Sequence, residues 1–153
     1  GWTQVAAARI KAPGKGRIIA IDVLGVDPVP GATILELDFL APEAPAALAA
    51  ALGGKADLVL SDMAAPATGH APTDHIRIVA LAEAALAFAR DALAPGGTFV
   101  AKVYQGGATG TLLQELKRDF AAVRHAKPPA SRSESAEMYV VAQGFRGSDK
   151  GPA

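Results

Sequence analysis

Charged side chains close several segments that have the composition of buried β-strands. Asp22, Asp38 and Asp62 each stand at the end of an apolar run, and Lys102 lies inside a fourth run, 98–103. In an open parallel sheet, ligands bind beyond the carboxyl ends of the strands. One charged group at a strand end is as often solvated as functional, but three acids and a lysine at one edge favour a site. The pattern therefore predicts a binding or reaction centre at that edge.

The first of these acids, Asp22, has the position expected of a residue that binds a nucleoside. Asp22 lies about 20 residues after Gly1 and Trp2, the distance at which an acid ending a second strand accepts hydrogen bonds from a ribose. An acid at this spacing is expected in sites for nicotinamide dinucleotides, flavins and S-adenosylmethionine alike. It therefore indicates that a nucleoside is bound but not which reaction follows. Asp38 is a candidate for the adenine edge, or alternatively a cap at the entry to a loop.

The segment after Asp62 contains histidines with weak metal-site spacing. His70 and His75 are five residues apart with Asp74 beside His75, but the chain has no cysteine and no compact three-ligand cluster. No Ser or Cys nucleophile motif and no GxxxxGK phosphate loop occurs in the sequence. We therefore predict no metal site.

Composition and charge place the chain among globular proteins with a basic C-terminal third. Half of its residues are apolar, a fifth are charged, and the formal net charge is zero. No apolar run approaches the ~20 residues of a membrane helix, so a cytoplasmic protein without membrane contact is predicted. Residues 1–100 carry 7 Lys/Arg and 10 Asp/Glu, whereas residues 101–153 carry 8 and 5. The basic side chains near this end suit phosphate contacts or a solvated face equally: Lys117, Arg118, Arg124, His125, Lys127 and Arg132.

Apolar periodicity alternates between helix and strand along the chain, which indicates an α/β fold. Strands are predicted at 17–22, 33–38, 57–61, 98–103, 123–127 and 137–143, and helices at 2–11, 42–52, 74–93 and 111–120. The long helix should pack through an apolar stripe made of Ile78, Leu81, Ala82, Ala85, Phe88, Ala89 and Ala92. Asp74, Arg77 and Arg90 should lie away from that stripe.

The order of elements predicts a single domain that lacks its opening strand. The first element is a helix preceded only by Gly1, whereas a doubly wound sheet begins with a central strand. A sheet without that strand would leave inner strands unpaired, so the native chain is expected to extend upstream. The domain is predicted to span 1–146, followed by a flexible tail, 147–153.

Several motifs in fixed order resemble one enzyme family. They are Gly1-Trp2-Thr3-Gln4, Gly16-Arg17-Ile18-Ile19-Ala20-Ile21-Asp22, Asp38-Phe39, Ser61-Asp62-Met63-Ala64, the run from Leu93 through Lys102 to Gly106, Ser131-Arg132, and Glu137-Met138-Tyr139-Val140-Val141-Ala142. Together they resemble the FtsJ/RrmJ family of ribosomal RNA large-subunit methyltransferases over nearly the whole chain. The resemblance implies a Rossmann-like, class I S-adenosylmethionine-dependent methyltransferase sheet with helices on both faces. It also implies 2′-O-methylation of a uridine ribose in 23S rRNA of the 50S subunit.

The resemblance implies roles for individual residues. The family has a Lys-Asp-Lys-Glu tetrad, in which Asp62, Lys102 and Glu137 match the last three members and the first lysine has no counterpart here. Glu134 is a nearby alternative to Glu137. The cofactor S-adenosylmethionine would contact Gly1, Trp2, Asp22, Asp38 and Asp62. The candidate RNA contacts come from the charge distribution instead and are Lys117, Arg118, Arg124, Lys127 and Arg132. A monomeric enzyme is expected.

Lys102 is the candidate base for the ribose hydroxyl, although its surroundings oppose that role. A lysine with an ordinary pKa is neutral in only about one of a few thousand molecules at pH 7, a handicap of roughly 4–5 kcal/mol. Burial would lower the pKa of Lys102, but a neighbouring Asp62 carboxylate would raise it. A second ammonium group nearby would offset Asp62, which is a physical reason for the upstream lysine of the tetrad.

Two other functions remain open at this point. A nicotinamide-dependent oxidoreductase would need a GxGxxG turn upstream and a proton donor such as Tyr104 or Tyr139. A methyltransferase-like RNA-binding module without activity would suit the basic C-terminal third. The presence of Asp62, Lys102 and Glu137 together argues against the inactive module, because binding alone requires no such set.

Overall fold

A computed structural model describes residues 18–22, 32–63, 69–104, 110–127 and 137–147 of the chain. Predictions for the helix at 2–11 and for the tail after Gly147 lie outside these residues. So do Gly1, Trp2 and Arg132. The chain divides into two compact units, Gly1–Lys55 and Ala56–Ala153, which are described in turn.

The first unit contains a pair of parallel strands and one helix. Strand β1 (Ile18–Asp22) pairs with β2 (Ala32–Glu36) in the register Ile18↔Ala32 through Asp22↔Glu36. Helix α1 (Ala44–Leu52) follows and ends at Gly53, whose φ of 69° is the left-handed value that favours glycine. The strand predicted at 33–38 is shifted, because the chain turns after Glu36 and Asp38 lies in that turn.

The second unit contains a four-stranded mixed sheet and two helices. Its elements in chain order are β3 (Ala56–Ser61), α2 (Ala71–Ala92), β4 (Leu93–Tyr104), α3 (Gly110–Asp119), β5 (Phe120–Ala126) and β6 (Glu137–Phe145). The strand order in the sheet is β3-β4-β6-β5. Strands β3 and β4 are parallel, whereas β6 runs antiparallel to both β4 and β5. The α/β class is confirmed, and the predicted elements that fall within the described residues occur in the predicted order.

Alternation along β4 separates a covered face of this sheet from a more open one. Phe99, Ala101 and Val103 are fully buried. The alternate residues Thr98, Val100 and Lys102 are only half-buried. Side chains on successive strand residues point to opposite faces, so Lys102 lies on the open face. Helices α2 and α3 pack on the covered face through one core cluster: Ala82, Ala85, Leu86, Ala89, Leu112 and Leu116.

The open face continues onto the neighbouring strands. Val100 pairs with Leu60 of β3 and with Val141 of β6, and directly paired residues point to the same side of a sheet. Leu58 and Leu60 are 48% and 41% exposed. Lys102 therefore stands at one end of a partly exposed apolar surface rather than in a loop.

Two details of α2 differ from the prediction. Leu86, absent from the predicted stripe, is fully buried, whereas Leu81 and Phe88 are only partly buried. Arg90 was wrongly expected to lie away from the packed side. Its Nε donates to Oδ2 of Asp119 at 2.7 Å, and Asp119 is a buried carboxylate at the end of α3. The ion pair joins the two helices, and the apolar pattern of α2 alone carries no signal for it.

None of the helices within the described residues is long and apolar enough to cross a membrane.

Candidate active site

Strand pairing brings Asp62, Lys102 and Glu137 together from distant parts of the chain. Ser61, the last residue of β3, pairs with Ala101 of β4, which places Asp62 beside Lys102. On the other side of β4, Lys102 pairs with Tyr139 and Tyr104 pairs with Glu137. The predicted grouping of the two carboxylates with the lysine is therefore present within the second unit.

The amine of Lys102 lies between two carboxylates. Its Nζ is 3.1 Å from Oδ1 of Asp62 and 3.3 Å from Oε2 of Glu137. The Lys102 side chain is 11% exposed, and the side chains of Asp62 and Glu137 are each 44% exposed. The lysine stem is thus covered, while the carboxylates line an accessible rim where a substrate can approach.

This environment favours the charged form of Lys102. Burial lowers the pKa of its amine, but the hydrogen bond and charge of Asp62, together with those of Glu137, outweigh burial and raise the pKa above its ordinary value of 10.5. At neutral pH Lys102 is an ammonium group that donates hydrogen bonds. Its use as a base therefore requires a change in this balance, in agreement with the opposing effects expected from the sequence.

Tyr139 is a member of this cluster that sequence reasoning placed only in the oxidoreductase alternative. Its hydroxyl donates to Oδ1 of Asp62 at 2.9 Å, the same oxygen that contacts Lys102. Burial first, and then the hydrogen bond and charge of Asp62, raise the pKa of Tyr139 well above its ordinary value of 10.0. The hydroxyl is therefore protonated at neutral pH. The available signal was the two-residue spacing from Glu137, which puts both side chains on one face of β6.

Asp22 and Asp38 belong to the first unit and lie at one end of its strand pair. The carbonyl of Asp22 accepts a hydrogen bond from the backbone N–H of Leu37 at 3.1 Å, so the chain entering Asp38 passes beside the end of β1. Oδ1 of Asp38 accepts from the backbone N–H of Leu40 at 2.9 Å, which is the loop-cap role that the sequence left open. Contact of either acid with a nucleoside stays a prediction.

His70 has a structural role in the second unit. It is the N-cap residue of α2, and its Nδ1 accepts a hydrogen bond from the backbone N–H of Thr73 at 3.4 Å. Among the residues that the structure describes, no group of three or more His, Cys, Asp or Glu side chains is placed to hold a metal ion. Glu134, the alternative to Glu137, lies outside those residues.

The side chains predicted to contact RNA differ in the contacts that they make within the protein. Lys117 and Arg124 are exposed, on α3 and β5 respectively. Arg118 is also exposed, but its Nε pairs with Oδ1 of Asp119 at 3.0 Å. Lys127 follows β5, and its Nζ donates to the backbone carbonyl of Glu137 at 3.0 Å. One basic side chain is therefore tied directly to the strand that carries Glu137.

Comparison with known proteins identifies the family to which this chain belongs. Residues 1–145 match the model of the FtsJ-like methyltransferase family. The chain belongs to this family. The resemblance inferred from the motifs is confirmed, and neither the oxidoreductase nor the inactive binding module is supported by this membership.

Curated relatives of this FtsJ-like chain carry the name ribosomal RNA large subunit methyltransferase E. The relative from Xanthobacter autotrophicus is 63% identical over 148 residues, which cover 96% of this chain and 58% of the relative. The relative from Paramagnetospirillum magneticum is 61% identical over 153 residues, covering 98% of this chain and 63% of the relative. The chain thus spans about three-fifths of the length of these relatives.

Solved structures agree with the family assignment. A ribosomal RNA methyltransferase from Plasmodium falciparum matches with a TM-score of 0.82 and 30% identity, over 95% of this chain and 81% of that one. An rRNA methylase from Clostridium thermocellum matches with a TM-score of 0.51 and 15% identity, over 92% and 82% of the two chains. At that identity the second match shows the fold alone.

Proposed function

We propose that this FtsJ-like chain carries the catalytic centre for S-adenosylmethionine-dependent methylation of a ribose 2′-hydroxyl, a uridine in 23S rRNA of the large ribosomal subunit. The observation that supports this most directly is the position of the Lys102 amine, 3.1 Å from Asp62 and 3.3 Å from Glu137 beneath two exposed carboxylates. The names of the curated relatives supply the RNA substrate. The site supplies groups that position a hydroxyl and move its proton.

A ribose hydroxyl is a weak nucleophile, so the site must orient its oxygen and receive its proton. Lys102 is the group with both capacities. As an ammonium it donates to the 2′-oxygen, and in its neutral form it accepts the hydroxyl proton at Nζ. Asp62 orients Lys102 through Oδ1. Glu137 holds Lys102 from the other side and has exposed oxygen that can accept from the substrate ribose.

The neutral form of Lys102 is the scarce species in this scheme. Asp62 and Glu137 both raise the pKa of the amine, whereas only its burial opposes them. The family tetrad contains a further lysine, and a second positive charge near Asp62 would lower the pKa of Lys102. The rate of methyl transfer should accordingly increase with pH while Lys102 is mostly protonated.

The acids at the strand ends are suited to bind the methyl donor, S-adenosylmethionine. Carboxylates such as Asp22 and Asp38 accept hydrogen bonds from ribose hydroxyls and from an adenine amine. The resemblance adds Gly1, Trp2 and Asp62 as cofactor contacts. S-adenosylmethionine, when bound, supplies a methyl group activated by its sulfonium. The residues of this chain then hold the nucleoside, orient the acceptor hydroxyl and take up its proton.

The basic side chains provide a contact for the RNA backbone. Lys117, Arg124 and Lys127 are exposed on the second unit and suit phosphate contacts. Arg118 shares its charge with Asp119, so its contribution to RNA binding should be smaller than that of Lys117. We place the reaction in the cytoplasm with the 50S subunit as partner, and we expect a monomeric enzyme.

The test is methyl incorporation by the full-length protein from labelled S-adenosylmethionine into 50S subunits. Digestion of the rRNA to nucleosides should place the label on a ribose 2′-oxygen of uridine. Lys102→Ala should abolish incorporation, whereas Glu36→Gln, an exposed carboxylate change on β2, should not. Full methylation by Lys102→Ala would refute the role of Lys102. RNA binding without any incorporation by the wild type would favour an inactive binding module, and labelling of a base would refute ribose chemistry.

A further inference from the structure

Tyr139 contacts Asp62 in a way that the tetrad does not require. Its hydroxyl and the Lys102 amine approach the same carboxylate oxygen, Oδ1, at 2.9 and 3.1 Å. Tyr139 is also the residue directly paired with Lys102 between β6 and β4. Lys102 and Tyr139 are therefore neighbours through strand pairing, and Asp62 contacts both of them through its Oδ1.

We propose that Tyr139 is a positioning residue for methyl transfer, whose hydroxyl fixes the Asp62 carboxylate and limits the hold of Asp62 on Lys102. The inference rests on the proposed function for its kinetic consequence, but the arrangement of Tyr139, Asp62 and Lys102 stands independently of the substrate. Tyr139 does not contact the reacting atoms in this scheme. It acts through Asp62.

Exposure of Asp62 explains why such a contact matters. Asp62 directly follows the last residue of β3, and 44% of its side-chain surface is accessible. A carboxylate in that position can rotate between several rotamers unless donors hold it. Tyr139 lies within β6, so its ring position is set by the strand, and its hydroxyl restrains Oδ1 in the orientation that meets Lys102.

The shared oxygen also sets the strength of the ion pair. A hydrogen bond from a neutral donor draws charge density from Oδ1, which weakens the attraction between this oxygen and an ammonium group. Removing the Tyr139 hydroxyl leaves the full charge of Oδ1 to Lys102. The ammonium form would then be stabilised, and fewer molecules would contain the neutral amine.

The other charged groups near Lys102 can be named within the described residues. Asp62 approaches from the end of β3, and Glu137 and Tyr139 approach from β6. Helices α2 and α3 pack on the covered face of the sheet, opposite to Lys102. Their ion pair between Arg90 and Asp119 therefore belongs to the other side of the sheet.

The decisive variant is Tyr139→Phe in the full-length protein, which removes one oxygen and keeps the ring. At neutral pH we expect kcat for 50S methylation to fall about tenfold, the effect of a hydrogen bond to a charged group, with the KM for subunits nearly unchanged. The deficit should shrink at alkaline pH, because the amine is neutral in both proteins there. The matched control is Thr98→Val, which removes a hydroxyl from the same open face of β4 and should leave the pH profile unaltered.

A second readout does not depend on activity. Lys102 can be labelled competitively with acetic anhydride across a pH series, and its peptide quantified by mass spectrometry, because only the neutral amine reacts. Tyr139→Phe should move the labelling midpoint of Lys102 to higher pH by about one unit, which matches the tenfold loss of kcat because the fraction of neutral amine falls tenfold. In an Asp62→Asn background the same substitution should have no further effect, since the hydroxyl acts through the Asp62 charge.

These outcomes separate the inference from the proposed function. Unchanged kcat and an unchanged Lys102 labelling curve in Tyr139→Phe would overturn the inference. An equal additional loss of kcat in the Asp62→Asn background, or a loss independent of pH, would also overturn it by indicating a purely structural role. If the wild type methylated no RNA, the proposed function would fail, and the labelling experiment would still decide whether Tyr139 controls Lys102.

Discussion

Lys102 and Glu137 meet across the β4–β6 pair, with Nζ 3.3 Å from Oε2, although Glu137 pairs with Tyr104 rather than with Lys102 in the strand register. The two charged residues are thus diagonal neighbours on one face. Such pairs remain within reach of long side chains. The diagonal contact leaves the position opposite Lys102 to Tyr139, so Glu137 contacts the amine directly, whereas Tyr139 is linked to it through Asp62.

Replacement of Lys102 by arginine should keep the positive charge and remove the proposed base. A guanidinium group remains protonated at any pH that the fold tolerates, so it can donate to the substrate oxygen but cannot take its proton. We expect kcat to fall by about two to four orders of magnitude, the usual contribution of a general base, with RNA affinity retained. Single-turnover methylation and filter binding measure the two effects. Activity close to the wild type would show that proton removal does not involve Lys102.

Glu137→Gln should shift the pH dependence in the opposite direction from Tyr139→Phe. The carboxylate of Glu137 helps to raise the pKa of Lys102, so its neutralisation lowers that pKa and moves the rising limb of kcat to lower pH. A shift of about half to one unit is expected. The pH profile of kcat on 50S subunits measures it. The control is Glu36→Gln, and a shift to higher pH would contradict the prediction.

Alkaline pH should weaken the fold through the same cluster. The pKa of Lys102 is raised above 10.5, so its stabilising contribution is complete below 10.5 and is lost as the pH rises through the folded-state value. The pKa of Tyr139 is raised above 10.0, and because the fold favours its protonated form, that contribution is lost in the same direction.

Urea unfolding between about pH 8 and about pH 11 measures this loss through the transition midpoint. Lys102→Met and Tyr139→Phe should each show a shallower decrease than the wild type over that range. Curves that run parallel to the wild type would mean that neither group changes its proton affinity on folding.

The helix-to-helix ion pair predicts a stability effect away from the site. Asp119→Asn removes a carboxylate charge whose side chain is 2% exposed and lies 2.7 Å from Arg90, and it leaves Arg90 with Glu115 at 3.5 Å. We expect the free energy of unfolding to fall by about 2 kcal/mol, because the partly buried guanidinium loses its nearer opposite charge. Glu83→Gln, an exposed change on α2, is the control and should be nearly neutral. Equal stability of the two variants would contradict the prediction.

Gly144 should resist substitution on two grounds. Its φ is +75°, and a Cβ at this position would lie 2.9 Å from the Cβ of Ala121. Gly144→Ala is expected to lower the free energy of unfolding by about 2 kcal/mol. Gly54→Ala is the matched control, since no heavy atom lies within 4 Å of its added Cβ. Thermal unfolding of both variants makes the comparison, and a smaller loss for Gly144→Ala than for Gly54→Ala would contradict it.

The sequence predicts the charged residues of the centre better than the hydrogen bond that Tyr139 makes to Asp62. Asp62 and Lys102 are visible as charges at the ends of apolar runs, and the family motifs add Glu137. The bond from Tyr139 to Asp62 joins residues 77 positions apart and depends on the antiparallel register of β6. No local pattern encodes that register, because strand alternation fixes the face of a residue but not its partner.

The errors in α2 and β4 have different causes. Leu86 lies four residues after Ala82 and three before Ala89, so the helical period places it on the packed side with the rest of the core cluster, and the predicted stripe wrongly omitted it. Arg90 is drawn inward by Asp119, a tertiary partner 29 residues away. Strand β4 begins at Leu93 rather than after Gly97, because Leu93 pairs with Ala56 before the register shifts.

The position of the Lys102 amine in the middle of a hydrogen-bonded sheet has a dynamic consequence. Lys102, Tyr139 and Glu137 belong to ladder strands, and their backbones separate only if β4 and β6 come apart. Opening of this part of the site therefore requires the cooperative loss of core structure rather than the motion of a loop. Amide hydrogen exchange at Lys102 and Tyr139 should be as slow as at Phe99 and Val140. Under the proposed function, an rRNA substrate would have to adapt its shape to this rigid centre.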